Sequence, residues 1–423
     1  MRNRSFILAV AVALTGVAAA PSSEGWTATP GGWVSGDVEY VGSIPEAAGG
    51  AVDAVLHEDL LYVTAWHSFS IYDVSDPTSP DQLSVTPLGP SLFNEQPQTN
   101  GEILLISRDA GYTPVTDADT PREGAVLEIW DVRDPYAPER LAEYHTRMAG
   151  RVLPGVPLQR TERDHLWTCV LDCTYAYSAF GTILDLRDPA NPEYVGRWTD
   201  VAPPKQGGRM HHIGEVEPGV LMVGSLPMYV LDAREDPTRP QVLASFHPDT
   251  TLAGNLVDPI PFHYKNPETL PARSAWPGGL TGRLAVVSME TPLEGQCNPR
   301  AGDVHVYRAE GWRGTGEPSF ERTDRYVLDT NGTYTDGAPP YNVWGCSAYG
   351  LDAHPDFGQA GGLAAVAFFE HGVRILAVDA RGAISEHGGF VPIGGVSATP
   401  RWLSDDLLYV ADIHRGIDIL RVG

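Results

Sequence analysis

The sequence is poor in positive charge and contains almost no lysine. Of its 423 residues, 29 are Lys or Arg and 54 are Asp or Glu, so the net charge is −25, and Lys205 and Lys265 are the only lysines. Proteins that bind nucleic acids or anionic membranes do so through basic surfaces. The charge balance therefore predicts that the partner is neither a nucleic acid nor an anionic membrane.

The sequence also lacks the local motifs by which many enzymes are recognised. It contains no G-x-S-x-G nucleophile elbow, no H-E-x-x-H zinc motif and no phosphate-binding P-loop. No catalytic residue is identified by a motif, so the question of enzymatic activity stays open at this point.

Apolar runs of membrane-spanning length are absent after the first 20 residues. The run Phe6–Ala20 follows a basic start at Arg2 and Arg4 and ends in small residues, which is typical of a secretory signal peptide. It is too short to cross a bilayer comfortably. We therefore expect residues 1–20 to be a cleaved signal, the product to be secreted without stable membrane insertion, and residues 21–36 to form a flexible lead-in.

Only four cysteines are present. In an oxidising compartment such cysteines usually form disulfides. Cys169 and Cys173 lie four residues apart around a predicted turn, and Cys297 and Cys346 remain. The sequence predicts the pairs Cys169–Cys173 and Cys297–Cys346. The alternative, a zinc site, requires paired CxxC motifs that the chain does not have.

One phrase recurs along the first half of the chain. The copies are "SIYDVSDPTSP" (70–80), "EIWDVRDPYAP" (128–138), "TILDLRDPANP" (182–192) and "YVLDAREDPTRP" (229–240). An Asp at the end of a strand bonds to the backbone two residues on and starts a turn. A following Pro cannot donate to a β-ladder and ends the strand. Each phrase therefore predicts a corner between two strands.

Three weaker copies follow at residues 303–311, 371–382 and 415–423, which gives seven copies spaced mostly 44–58 residues apart. Seven units of four short strands predict an all-β fold, a seven-bladed β-propeller of antiparallel blades over residues 37–423. The last copy lacks a fourth strand and the first is preceded by a surplus strand at 37–44. We expect that N-terminal strand to complete the last blade and close the ring.

The repeated phrases resemble the LVIVD-repeat family, whose repeats end in a similar strand followed by Asp-Val-Ser-Asp-Pro. Four copies match this pattern well, and three match only in the strand. The resemblance implies a secreted or surface β-propeller without an assigned reaction. It supplies no catalytic residue that could be transferred to this chain.

Histidine is the residue type that could carry chemistry, with 13 copies in the chain. His67, His371 and His414 precede the third strand of blades 1, 6 and 7, so the ring relates them by pseudo-symmetry. Imidazoles that converge could bind copper, zinc or iron. The candidate metal ligands are six histidines expected near strand ends: His67, His165, His211, His212, His371 and His414.

Two further groups of residues suggest sites. Asp352, His354 and Asp356 alternate along one predicted strand, where a His between carboxylates could act as a general base. Asp117, Asp119 and Glu123 could bind calcium, although their spacing is not that of an EF-hand. The first group is a candidate catalytic site, and the second is a candidate calcium site.

Two functions are compatible with these observations. The first is a binding or interaction scaffold for an unidentified protein or glycan, with no cofactor. The second is an enzyme that uses a transition metal or a His/Asp pair at the axial mouth of the propeller. Long insertions are where a rigid ring usually carries its binding residues, and the sequence places them at 109–124, 249–281, 311–324 and 330–341.

Overall fold

The structure is a computed structural model that describes residues 25–45, 50–88, 94–108, 126–145, 166–203, 211–225, 227–247, 272–275, 283–289, 302–310, 319–328, 345 and 347–423. These residues form thirty β-strands and one short 3₁₀ helix, Trp198–Asp200. No helix in this part of the chain has the length and apolarity needed to cross a membrane.

The strands form seven small antiparallel sheets, the blades of a propeller. Blades 1 to 4 each contain four consecutive strands, and the first strand of each blade lies nearest the axis and the fourth lies outermost. Their bounds are β4 (Ala51–His57), β5 (Leu60–Ala65), β6 (Ser68–Asp73), β7 (Asp81–Pro87); β8 (Gln98–Thr99), β9 (Ile103–Arg108), β10 (Val126–Asp131), β11 (Glu139–His145); β12 (Trp167–Val170), β13 (Tyr175–Ser178), β14 (Thr182–Asp185), β15 (Glu193–Arg197); β16 (His212–Glu217), β17 (Val220–Gly224), β18 (Met228–Asp232) and β19 (Gln241–Phe246).

Blades 5 to 7 contain the remaining strands, and two of these blades also take strands from the N-terminus. The C-terminal strands are β20 (Ala272–Ala275), β21 (Leu284–Met289), β22 (Val304–Glu310), β23 (Ser319–Tyr326); β24 (Leu351–Ala353), β25 (Gly361–Ala367), β26 (Val373–Asp379), β27 (Ile384–Pro392); β28 (Ser397–Trp402), β29 (Leu407–Asp412) and β30 (Gly416–Val422). Parts of β20 and β23 lie in segments that the sequence marked as insertions, because neither strand has a clear apolar alternation.

The N-terminal strand closes the ring. β3 (Val38–Ile44) pairs antiparallel with β30, from Val38 opposite Val422 to Ile44 opposite Ile417, and becomes the fourth strand of blade 7. Each first strand contacts the first strands of both neighbouring blades, so the inner strands form an unbroken ring around the axis. This confirms the predicted seven-bladed propeller and its mode of closure.

The segment predicted as a flexible lead-in contains two strands. β1 (Trp26–Ala28) pairs with β2 (Gly32–Gly36), and β2 pairs with β27, so blade 6 has six strands. The guanidinium of Arg374 lies 4.9 Å from the centre of the Trp26 ring. The strands are short and flanked by Gly and Pro, which is why the sequence pattern did not reveal them.

The hydrophobic core lies between the blades. Between blades 1 and 2, for example, Phe69 and Ile71 pack against Leu104 and Trp130, and the Phe69 and Trp130 rings meet edge to face at 5.1 Å. Alternate residues of each strand face the two neighbouring blades, because a strand points successive side chains to opposite sides. Each large side chain buried in this way stabilises the ring by about 1.5–3 kcal/mol.

The Asp-Pro phrases form the predicted corners between third and fourth strands. In blade 1 the Asp73 carboxylate accepts the Ser75 N–H at 2.9 Å, and the Asp76 carboxylate accepts the Thr78 N–H at 3.0 Å. Blades 2, 3 and 4 repeat both bonds. The Tyr409 hydroxyl of blade 7 donates to the Pro77 carbonyl at 2.6 Å, so the corner of blade 1 also connects blade 1 to blade 7.

The carboxylates of the corners should make the fold less stable at acidic pH. Hydrogen bonds from the arginine two residues further on hold the pKa values of Asp131, Asp185 and Asp232 below the ordinary value. Stability from these carboxylates is present above pH 4 and is lost as the pH falls through the lowered pKa values. Replacing all three by Asn should therefore lower the free energy of unfolding by about 1–2 kcal/mol at pH 7, measured by urea denaturation.

The difference between the variant and the parent should shrink from pH 7 to pH 2.5, because the parent carboxylates become protonated as the pH falls through their lowered pKa values. A matched control is Asp200→Asn, at an exposed position outside the corners, which should change stability at neither pH. A difference that stays constant from pH 7 to pH 2.5 would contradict the electrostatic explanation.

Candidate binding site at the propeller axis

The two ends of the ring differ in which connections they carry. Face I is defined here as the end at which second strands join third strands and each blade connects to the next. Face II is the opposite end, with the turns between first and second strands and the corners between third and fourth strands. The Asp-Pro corners therefore lie on face II, away from the connections between blades.

A buried segment crosses the axis near face I. Residues 94–97, which connect blade 1 to blade 2, are all buried, and we call them the axial strap. The Gln96 N–H donates to the Asp53 carboxylate of β4 at 3.0 Å, and the Gln96 side-chain amide donates to the Ile213 carbonyl of β16 at 2.6 Å. The strap thereby joins the inner strands of blades 1 and 4, on different sides of the ring.

The strap is also anchored to blade 1 at Asn94. The Thr64 hydroxyl donates to the Asn94 carbonyl, and the Asn94 side-chain amide donates to the Ala65 carbonyl, both at 2.5 Å. Gln96 has a φ of 53°, a left-handed conformation that non-glycine residues rarely adopt. The surrounding hydrogen bonds hold it there, as is common for strained residues at functional sites.

A charged group lines the axis beside the strap. The Arg401 guanidinium of β28 lies 3.2 Å from the fully buried Asp53 carboxylate and donates to the Ala54 carbonyl at 2.6 Å. The Asp352 carboxylate of β24 accepts the Trp402 N–H at 3.0 Å. Burial raises the pKa of Asp352, and the positive charge of Arg401 opposes that rise. Arg401 therefore compensates two acidic side chains from different blades.

Three of the candidate metal ligands occupy the predicted equivalent positions. His67, His371 and His414 lie in the turns before the third strands of blades 1, 6 and 7, on face I. His67 and His414 are exposed, whereas burial lowers the pKa of His371 to about 3 and keeps its ring neutral. Within the described ranges, no group of three or more His, Cys, Asp or Glu side chains is placed to hold a metal ion.

His211 and His212 lie beside the strap. Both are half-buried at the start of β16, and Ile213, which follows them, accepts the hydrogen bond from Gln96. Because adjacent residues of a strand point to opposite sides, at most one of these two side chains faces the axis. His165 and the candidate calcium ligands Asp117, Asp119 and Glu123 lie outside the described residues.

The candidate catalytic group caps a turn on face II. His354 Nε2 donates to the Asp405 carbonyl at 2.8 Å, and His354 Nδ1 accepts the Asp356 N–H at 3.0 Å. The ring also meets Trp402 edge to face at 4.7 Å. Asp356 contributes its backbone rather than its carboxylate, and Asp352 bonds to blade 7. Both ring nitrogens of His354 are therefore engaged by backbone groups.

The first of the two predicted disulfides is formed. Cys169 and Cys173 are joined across the turn between β12 and β13, with an S–S distance of 1.98 Å. This confirms the first pair. Cys297 and Cys346 lie outside the described residues.

Sequence reasoning missed the residues that form the axial site. Asp53, Gln96 and Arg401 belong to no motif, and each meets its partners only when the ring closes. A weak signal was present in Asn94-Glu95-Gln96, three polar residues in a connection that turned out to be buried. Polar residues in a connection usually indicate solvent exposure, so these three residues would be expected at the surface and not in a buried segment at the axis.

The fold and the corners agree with a known repeat. The model of the LVIVD repeat matches residues 48–84, which span blade 1 from its inner strand to the fourth strand after the Asp-Pro corner. The chain is a seven-bladed propeller whose first blade carries an LVIVD repeat. No curated protein matches the sequence of this propeller. Such a scaffold of repeats is typical of binding and interaction proteins.

Solved structures resemble this chain in fold. The WD40 repeats of RRP9 are 10% identical with a TM-score of 0.51, covering 92% of this chain and 98% of that one. The WD40 propeller domain of Doa1 is 9% identical with a TM-score of 0.51, covering 90% and 96%. YCF48 bound to a D1 peptide is 10% identical with a TM-score of 0.46, covering 91% and 96%. At these identities the likeness concerns the fold alone.

Proposed function

We propose that this LVIVD-repeat propeller binds a protein partner on face I. The observation that carries the proposal is the unequal length of the connections at the two faces. Between the described strands, connections at face II are at most as long as 276–283 and 311–318. The longest connections at face I are 109–125, 146–166, 247–271 and 327–350. Extra chain length on one face of a rigid ring is typical of a recognition surface.

The position of the axial strap favours a binding site on the surface of face I over one inside the ring. Gln96 bonds to Asp53 of blade 1 and to Ile213 of blade 4, so it lies across the space between these inner strands. A partner is therefore expected to lie across face I, over several blades. A broad surface built from several connections suits a macromolecule better than a small molecule.

The sequence of the face I connections favours a protein over a glycan. Interfaces between proteins are enriched in aromatic residues. The connections that begin and end at face I contain several of them: Tyr112, Phe262, Tyr264, Tyr341 and Trp344. A carbohydrate partner is the alternative outcome that the test below can detect.

We further propose that binding takes place outside the cytoplasm. Residues 1–20 have the pattern of a secretory signal, and a disulfide between Cys169 and Cys173 suits an oxidising compartment. Mass spectrometry of the protein recovered from the exported fraction tests this proposal, because it should find a mature N-terminus near residue 21. A full-length N-terminus in the cytoplasmic fraction would contradict it.

Photo-crosslinking tests the binding face. A photoreactive phenylalanine replaces either His414, which is exposed on face I, or Tyr136, which is 69% exposed on face II. Each purified mature protein is returned to the exported fraction and irradiated. We expect a discrete protein adduct from position 414, at a yield about tenfold above that from position 136.

Two results would contradict the proposal. Equal yields from positions 414 and 136 would show that binding does not depend on face I. An adduct at position 414 that carries carbohydrate and no peptide would show that the partner is a glycan and not a protein.

A further inference from the structure

The turn between β12 and β13 has an unusual backbone. Leu171, Asp172 and Cys173 have φ values of 52°, 57° and 55°, so three consecutive residues are left-handed and none is glycine. L-residues disfavour this conformation because the Cβ atom approaches the next carbonyl oxygen, and they adopt it singly rather than in runs. Something other than local preference must hold this turn.

Two features hold the turn. The Cys169–Cys173 disulfide joins its two ends. The Glu215 carboxylate of β16 accepts the Leu171 N–H at 2.8 Å and the Gly219 N–H at 2.7 Å, so it connects this turn to the equivalent turn of blade 4. Within the turn, the Thr174 N–H donates to the Leu171 carbonyl at 3.2 Å.

The turn contacts both neighbouring blades on face II. The Asn100 side-chain amide of blade 2 donates to the Asp172 carbonyl at 3.2 Å. On the other side, Leu171 packs so closely against Gly219 that a Cβ atom at that glycine would lie 3.1 Å from Leu171 Cδ2. The left-handed turn therefore connects the inner turns of blades 2, 3 and 4.

We propose that the Cys169–Cys173 disulfide is a redox-sensitive clamp on this turn. While it is intact, the turn stays left-handed and keeps its contacts with Asn100 and Glu215. When it is reduced, the turn relaxes and releases blades 2 and 4 on face II. The inference is independent of the face I binding proposed above, because it concerns the opposite end of the ring.

The chemistry is thiol–disulfide exchange with a dithiol. A thiolate of the dithiol attacks one sulfur of the pair, the S–S bond breaks, and the released cysteine thiolate takes a proton from water. The second thiol of the dithiol then attacks the mixed disulfide and releases the other cysteine. The protein gains two electrons and two protons, and the dithiol is oxidised to a disulfide. Cys169 and Cys173 are 9% and 3% exposed, so attack requires local opening of the turn.

Hydrogen–deuterium exchange of the mature full-length protein tests the proposal. Reduction with dithiothreitol should accelerate amide exchange about tenfold or more at Leu171 and Gly219, whose N–H groups bond to Glu215, and should leave the corner of blade 1 unchanged. The double variant Cys169→Ala/Cys173→Ala should behave like the reduced protein. The matched control, Cys297→Ala/Cys346→Ala, should exchange at these amides like the oxidised parent.

A second variant separates a clamp from a general loss of stability. Leu171→Asn/Asp172→Gly places residues that tolerate the left-handed conformation in the turn. In this variant, reduction should accelerate exchange at the Gly219 amide by less than about threefold, because the turn no longer depends on the disulfide. The proposal is wrong if reduction leaves exchange at Leu171 and Gly219 unchanged in the parent, or if it accelerates exchange equally in parent and variant.

Discussion

A chain shortened so that it begins at Gly50 is expected to lose the closed ring. The deletion removes β3, so β30 keeps no partner on its outer side and blade 7 is left with three strands. It also removes Val38 from the core and Tyr40, whose ring stacks on Phe390 at 5.5 Å. The free energy of unfolding should fall by about 5 kcal/mol or more, which is close to the whole stability of many domains.

The open edge should also change the oligomeric state. An unpaired strand edge presents free N–H and C=O groups to which a second chain can pair. We expect size-exclusion chromatography with light scattering to show that the shortened chain forms larger, associated species than the parent chain does. Denaturant unfolding of the same samples measures the loss of stability.

A matched truncation isolates the role of β3. A chain that begins at Asp37 lacks β1 and β2 but keeps β3, so blade 7 stays complete and blade 6 returns to four strands. It should elute like the parent and lose much less stability. If both truncations associate to the same extent, ring closure by β3 is not the reason for the change.

Arg401→Met is expected to have the second-largest effect. The guanidinium lies 3.2 Å from the fully buried Asp53 carboxylate and lowers the pKa of Asp352, which burial raises. Methionine has a similar length but no charge, so both carboxylates lose their compensation. Removal of one partner from a buried ion pair lowers the free energy of unfolding by about 3–5 kcal/mol, and urea denaturation at pH 7 measures this loss.

The effect of Arg401→Met should depend on pH. Without the guanidinium the pKa of Asp352 rises further above its value in the unfolded chain. A carboxyl group with a raised pKa in the folded state stabilises the fold at low pH, and that stability is lost as the pH rises through the raised value. The difference between parent and variant should therefore be largest at pH 7 and should shrink as the pH approaches 4.

Arg421→Met is the control on the same blade. Its side chain is 41% exposed and pairs with Glu39 and Asp406 at the surface, where such pairs contribute about 0–1 kcal/mol. It should change stability little at any pH. Equal losses in the two variants, or a loss at Arg401 that is constant with pH, would contradict the role assigned to the buried charge.

The features that could be predicted from the sequence are the ones determined locally. Asp73 bonds to Ser75 two residues away, and Pro77 ends a strand whatever lies around it. These preferences repeat in blades 2 to 4, so they revealed the corners, and the weaker copies of the third strand in blades 5 to 7 completed the count of seven. Cys169 and Cys173 pair across a turn only four residues long, which made this disulfide predictable as well.

The axial site could not be predicted because its contacts are distant in sequence. Gln96 meets Ile213, 117 residues away, and Arg401 meets Asp53, 348 residues away. No periodicity relates these residues, and only the closed ring brings them together. The histidines could be predicted only in part for a similar reason. The repeat placed His371 and His414 at equivalent positions, but it does not specify burial. The His371 imidazole is buried and neutral, whereas the His414 imidazole is exposed.

The pairing of Val38 with Val422 also fixes the order in which the fold can be completed. β3 is synthesised before the strands of blades 1 to 5, and its partner β30 is synthesised after every other strand that the structure describes. Contacts between residues so far apart form late, because a long chain must close before they can contribute. β3 therefore stays without its partner while blades 1 to 6 can assemble, and blade 7 is completed only after β30 has been made.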